Sequence, residues 1–496
     1  MAPATGFRVL EATIADVHAA FRVGDLTARQ LVETYLERIA AYDKKGPTIN
    51  ALISLNPHAL EEADRLDASC KSSGLVGPLH GIPVVVKDQA DVKGMPTTLG
   101  SVLFRDYRPG RDCFVAARLR QAGAILLAKA TLGELGAGDT HGSLFGSTRN
   151  PYDVLRTVGG SSGGSGAAVS ANFAMVGVGQ EGLASIRRPS TWNGIAGMRP
   201  SVGLVSRTGV WEGWLSMNGS LGPMARTVTD VAKLLDVMMG YDPDDPATAH
   251  GVGRAPRSFA ELLDADALKG ARIGILREPM GYMSEPASED FAKITEVFDR
   301  AVAELGKAGA LIIDPVVVPD LNALLAKRVF ISEERNLGWE TYFHGIAQRP
   351  YASRDAAMAS PLFRELRKSV QERWMAKTTA EASYASLKAR DALMTNMLKT
   401  MADHGLDAIV HKAVEHQPTL IADGVNPPYI NHKGAPHINT FLQSVPSIVV
   451  PAGFTRDELP AGITFLGRPY DDTKMVRYAF AYEQATHHRR PPPATP

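Results

Sequence analysis

Two cysteines, Cys70 and Cys113, among 496 residues are too few for a disulfide scaffold or a multi-cysteine zinc site. Their scarcity fits a reducing compartment. Neither sign of charge is in surplus, since 53 Lys and Arg balance 53 Asp and Glu. A nucleic acid is therefore not expected as the main partner, because neutralising phosphates needs a basic excess. No apolar run approaches the ~18 residues of a spanning helix, so no membrane partner is expected. The opening residues, Met1-Ala2-Pro3-Ala4-Thr5-Gly6, lack the basic start and apolar core of a signal peptide. The expectation is a soluble, cytoplasmic protein. Apolar (45%) and charged (21%) fractions are ordinary, which excludes disorder as a description of the whole chain.

What is present reads as alternating strand and helix. Short runs rich in Val and Ile recur at 82–86, 124–127, 174–178, 273–275, 312–318, 408–410, 447–450 and 463–466. Most are too short for helices and fit buried strands. Thr27-x-x-Gln30 is a capping-box pattern that opens a helix. Residues 289–307 place Phe291, Ile294, Phe298, Val302 and Leu305 on one helical face. The alternation predicts an α/β fold, with α/β/α layers around a mixed, mostly parallel sheet. Between about 320 and 402 the strand signal fades into an Ala-, Arg-, Lys-, Glu- and Met-rich stretch that reads as a helical elaboration. The tail at 487–493, with its histidines, arginines and prolines, reads as frayed.

The most unusual stretch is Gly159-Gly160-Ser161-Ser162-Gly163-Gly164-Ser165-Gly166. A flexible linker would have this composition, but the segment runs straight into the apolar residues 167–178, so it is expected to be packed. Residues 160–164 also fit the G-x-S-x-G nucleophile elbow of α/β-hydrolases. That elbow needs a strong strand before it, and Asn150-Pro151-Tyr152-Asp153-Val154-Leu155-Arg156 make a poor one. Residues 177–182 fit G-x-G-x-x-G, yet Pro189 interrupts the helix that a dinucleotide fold requires. Cys113 lacks a supporting catalytic motif, and the spacings of His411, His416, His432 and His437 match no metal motif. No metal site is expected.

Taken together, these residues resemble the amidase signature family. The Gly-Gly-Ser-Ser-Gly-Gly-Ser core stands at 159–165, the nucleophile stretch at 179–189, and the lysine segment at 77–88. Further similar blocks lie at 194–206, 222–227, 450–453 and 465–469. The resemblance implies a single domain over 1–496, with its signature core at about 75–240 and 405–485. It implies Lys87 as base, Ser161 as a bridging serine preceded by a cis peptide, and Ser185 as nucleophile, with the two serines 24 residues apart. It places an oxyanion hole on the backbone N–H groups of Gly182, Leu183, Ala184 and Ser185. Leu183 and Ala184 replace two glycines usual in the family, which raises the question of whether either position needs a left-handed backbone. Glu181 stands where Asp is usual, and a pair with Arg187 would brace the loop.

The chemistry suits these residue types. A serine hydroxyl is a weak nucleophile until a base takes its proton. A lysine serves if it is neutral, and desolvation favours that form. Lys87 follows Ile82-Pro83-Val84-Val85-Val86 and is expected at the end of a buried strand. Its competing role is a plain ion pair with Asp88. Ser161 would relay the proton between Lys87 and Ser185, and backbone donors would hold the tetrahedral oxygen. No organic cofactor is implied.

For the substrate, Leu183 near the nucleophile and Trp211 and Trp214 in a glycine-containing loop suggest an apolar wall. Hydrolysis of apolar or aryl amides, and of aryl carbamates, is expected, with no partner beyond the small molecule except a possible second copy. One alternative is the glutamine-amidase subunit of a tRNA-dependent amidotransferase, which needs groups for an ammonium and a carboxylate. A second is a non-catalytic binding protein on the same fold, whose mark would be loss of Lys87, Ser161 or Ser185; all three are present.

Overall fold

The computed structural model of the chain describes residues 6–211, 219–329, 331–438, 442 and 445–496. In chain order its strands are β1 (Leu52–Leu55), β2 (Pro83–Lys87), β3 (Ile125–Ala130), β4 (His141–Gly142), β5 (Gly146–Ser147), β6 (Val176–Glu181) and β7 (Ala196–Arg199). They continue as β8 (Ser220–Ala225), β9 (Arg272–Leu276), β10 (Leu311–Val316), β11 (Ala408–Lys412), β12 (Ser447–Phe454) and β13 (Pro460–Leu466). Eleven of them form one mixed sheet in the order β1-β3-β2-β6-β8-β7-β12-β13-β11-β9-β10, and β4 pairs with β5. Parallel pairing occupies two blocks, β3-β2-β6 and β11-β9-β10. The strands joining the blocks, from β8 through β13, pair antiparallel.

Each apolar run named from the sequence became a strand, and the reason is burial. Val84, Val85 and Val86 are essentially inaccessible on both faces of the sheet, which is the environment that favours continuous β-branched runs. Helices cover the sheet: Gly163–Ser170 against β6, Val228–Met238 against β8, Glu289–Lys307 against β13 and Asp472–Thr486 against β12. The Thr27 capping box forms with both reciprocal hydrogen bonds. The helix Glu289–Lys307 buries Ile294, Val297, Phe298, Val302 and Leu305 as its spacing requires. In the middle stretch lie the helices Leu321–Leu325, Ser332–Tyr342, Arg354–Ala359, Lys368–Met375 and Ala380–Asp403.

The C-terminal tail corrects the sequence reading. Arg489 donates to both carboxylate oxygens of Glu11 at 3.0 Å and to the carbonyls of Ser170 and Gly194 at 3.0 Å. Arg38 reaches the carbonyl of Thr495 at 2.8 Å. These charge-assisted bonds dock a segment whose composition alone suggested fraying.

Candidate active site

Strands β2 and β6 are parallel neighbours in register, Val86 facing Val178. They therefore end at one edge of the sheet, with Lys87 closing β2 and Gln180 and Glu181 closing β6. Functional groups of α/β sheets gather at such carboxyl ends. The Gly–Ser segment crosses this edge and is wholly buried. Glycine is required there by close approach: a Cβ on Gly160 would lie 2.2 Å from the Gly138 carbonyl oxygen, and one on Gly164 would lie 2.4 Å from that of Thr131.

The Lys87 side chain is fully buried, and its Nζ donates to Ser161 Oγ at 2.7 Å and to the Gln180 carbonyl at 3.3 Å. Asp88 turns elsewhere. Its carboxylate lies 2.9 Å from Lys129 Nζ and accepts from the Thr98 N–H at 3.0 Å, so it pairs with Lys129. The Gly160–Ser161 peptide is cis. The Ser162 N–H donates to the Ser185 carbonyl at 3.0 Å, which sets the Ser185 segment beside the serine pair. Ser185 is 7% exposed, whereas Ser161 and Ser162 are inaccessible. Ser162 Oγ is occupied on both sides by Gln180, donating to its carbonyl and accepting from its N–H at 3.1 Å.

Glu181 and Arg187 form an ion pair at 2.8 Å with both side chains inaccessible to solvent. The second Glu181 oxygen accepts from the N–H groups of Ile186 at 2.7 Å and Arg187 at 2.9 Å. Arg187 also donates to the Leu183 carbonyl at 2.7 Å. The carboxylate thus consumes the donors after Ser185, and those of Gly182, Leu183, Ala184 and Ser185 precede it in the same turn. Gly182, Leu183 and Ala184 all lie outside the left-handed region. Replacing glycine by leucine and alanine here carries no conformational penalty, which answers the question raised by the sequence.

From the sequence, Arg188 is a group that could bind a substrate carboxylate; in the fold it is committed within the protein. It is fully buried, donates to the Gly160 carbonyl at 3.0 Å and pairs with Asp139 at 2.5 Å. It therefore holds the carbonyl just before Ser161, a contact that its position in a loosely defined motif slot could not reveal. A cavity of about 350 Å³ lies alongside, lined by Leu183, by Gly138 and Asp139, and by groups from distant segments that include Tyr282, Arg328, Arg367, Arg373 and His437. In the sequence the three arginines belong to the stretch read as a helical elaboration, and nothing in their spacing marks a wall.

The tryptophans divide. Trp211 is 3% exposed and packs edge-on to Trp339 and Tyr342 and near Phe104. It is not among the described residues that line the cavity. Trp214 lies outside the described residues. Trp192 is buried under Arg188 and donates to the His416 carbonyl at 3.0 Å. The C-terminal histidines turn to separate partners: His411 to the Lys412 carbonyl, His416 to that of Gln417, and His437 to Arg328.

A mixed sheet that carries a buried lysine, a serine pair preceded by a cis peptide and a third serine on the adjoining loop defines an α/β amide hydrolase. The family model described as Amidase matches residues 30–476, and the chain belongs to the amidase signature family, whose members hydrolyse carbon–nitrogen bonds. It is 32% identical to a probable amidase of Arabidopsis thaliana, over 98% of this chain and 92% of that one. It is 33% identical to a glutamyl-tRNA(Gln) amidotransferase subunit of Symbiobacterium thermophilum, over 96% of each. The native peptide amidase of Stenotrophomonas maltophilia superposes with a TM-score of 0.86 at 33% identity, over 97% of this chain and 98% of that one. Among the described residues, no helix is long and apolar enough to cross a membrane.

Proposed function

We propose that this chain is a serine amidohydrolase that acylates Ser185, with Lys87 as base and Ser161 as relay. The observation that carries the reading is the 2.7 Å bond between Lys87 Nζ and Ser161 Oγ, in a site where both are inaccessible. A neutral Lys87 reverses that bond, its lone pair accepting the Ser161 proton while Ser161 accepts from Ser185. The Ser185 oxygen then attacks the amide carbonyl. The N–H groups of residues 182–185 receive the developing oxyanion. The same proton returns through Ser161 to the departing nitrogen, and water later cleaves the ester.

The substrates are apolar or aryl amides, with aryl carbamates offering the same carbonyl geometry. Leu183, two residues from the nucleophile, supports this, as do Tyr282, Met283, Val370 and Ile430 around the same cavity. The test is a hydrolysis screen over anilides, aryl carbamates, aliphatic amides and glutamine, with the Ser185→Ala protein as blank. At least a tenfold higher kcat/KM for an anilide than for glutamine is expected. The reverse order would replace this reading with a glutamine-amidase subunit.

A further inference from the structure

Two short helices carry the reacting serines at their starts. The helix Gly163–Ser170 follows directly on Ser161 and Ser162, and the helix Arg187–Trp192 opens two residues after Ser185. Their starts are tied by the 3.0 Å bond from the Ser162 N–H to the Ser185 carbonyl. Between the ends they pack closely, since a Cβ on Gly166 would lie 3.2 Å from the Pro189 carbonyl oxygen. Their far ends meet at one guanidinium from the C-terminal tail. Arg489 Nη2 donates to the Ser170 carbonyl at 3.0 Å. Its Nη1 donates to the carbonyl of Gly194, two residues past the second helix, at 3.0 Å.

From this arrangement we propose that Arg489 is a positioning residue for acyl transfer, its guanidinium clamping the ends of both helices and so fixing how Ser161 and Ser185 face each other. The proposal rests on the amidohydrolase reading of Ser185 and adds a residue to it. Carbonyls at the end of a helix have no partner within it, and a cation is favoured there. A guanidinium holds its five N–H donors in one rigid plane, so two carbonyls bound to it do not shift independently. Arg489 Nε and Nη2 also donate to the two oxygens of Glu11 at 3.0 Å, which anchors the plane from the N-terminal segment. The lever is short: eight residues of helix span about 12 Å, and a misplacement of about 1 Å between reacting groups costs roughly a hundredfold in rate. Arg38 supplies the contrast. It donates to the carbonyls of Ala171 and Asn172 at 3.1 Å, at the end of the first helix, and to those of Thr495 and Pro496 in the tail. Among the described residues none of its bonds reaches the second helix, so it holds the same helix end and the same tail without joining the two.

The experiment compares kcat and KM for an anilide, and the rate at which a phosphonate labels Ser185, in the wild type, R489M and R38M. Thermal melting checks that each variant is folded. R489M is expected to lose at least about tenfold in kcat and in labelling rate, with KM within about threefold of the wild type. R38M is expected to lose stability but to keep both rates within about threefold. N-methylguanidinium should restore part of the labelling rate to R489A and leave the wild type unchanged. Should R489M not fold, R489K, which keeps a charge for Glu11 without the planar fork, carries the same comparison. A second arm follows amide hydrogen exchange over residues 163–172 and 186–194. R489M is expected to speed exchange in both segments, and R38M in the first alone. Wild-type rates in R489M, a loss matched by R38M, or unchanged exchange over 186–194 in R489M overturns the proposal. If the wild type neither hydrolyses an amide nor takes a label on Ser185, the Ser185 reading fails, and the exchange arm still decides whether Arg489 couples the two helices.

Discussion

Lys87 and Asp88 are adjacent in sequence yet serve different partners, because successive side chains at the end of a strand point to opposite faces. Asp88 is drawn to Lys129 and Thr98, leaving Lys87 to Ser161. The serines separate by the same logic of occupancy. The Ser162 hydroxyl closes a two-way bridge with Gln180 at the end of β6, so it has a structural task and is poorly placed to attack a substrate. Ser185 has no such bridge among the described residues and keeps some exposure. A phosphonate reagent followed by mass spectrometry is therefore expected to label Ser185, and Ser185→Ala to abolish the label. Ser162→Ala should retain most of the label while losing stability, at about 1–3 kcal/mol for a buried group left unsatisfied. A label on Ser162 would return the chain to the nucleophile-elbow reading.

At the scale of elements, the loop between β6 and the helix Arg187–Trp192 is shaped by one buried ion pair. Glu181 reaches forward to Arg187 and to the N–H groups that open the helix. Removing one partner of a buried pair strands the other charge and costs about 3–5 kcal/mol. Arg187→Met is expected to lower unfolding stability by that amount and to slow acylation. Adding Glu181→Gln should recover part of the stability, since no bare carboxylate then remains. A loss below about 1 kcal/mol for the single change, measured by denaturant titration, would mean that the pair does not brace the loop. Some of this architecture was readable beforehand. The Val- and Ile-rich runs announced β2, β6, β9, β11 and β13, and the loop motif drew attention to Glu181 and Arg187. Strand β8 was not announced, because Gly222 and Pro223 are unfavourable in strands and only pairing with β6 and β7 fixes them there. Trp211 was legible as an aromatic but not as to its surroundings, since Trp339 and Tyr342 lie more than a hundred residues away in sequence. The arginine side of the cavity was hidden for the same reason: Asp139, Arg328 and Arg367 come together only in the fold.

Across the whole molecule, balanced charge and ordinary composition gave no hint that several histidines are buried without charge. Desolvation is the leading cause in each case. It lowers His18 to about 4, His141 to about 3, His411 to about 3 and His437 to about 2. His411, for example, sits inaccessible in β11 with Nδ1 facing the Lys412 carbonyl. An unfolded histidine titrates near 6.5. Between that value and the depressed folded values the unfolded chain binds more protons, so stability rises with pH there. The contribution is fully present above about pH 6.5 and is lost progressively as the solution is acidified towards the folded values. Each such histidine removes about 1.4 kcal/mol per pH unit below 6.5, so four together cost about 5 kcal/mol at pH 5.5, against a typical total of about 5–15 kcal/mol. The protein is expected to show a steep fall in Tm between pH 7.5 and 5.5, reversible on short exposure. His411→Gln, which keeps a polar side chain without a titrating group, should have a shallower fall by about 1 kcal/mol at pH 5.5, whatever its stability at neutral pH. Parallel Tm-against-pH curves for the variant and the wild type would show that His411 is not a source of the acid sensitivity.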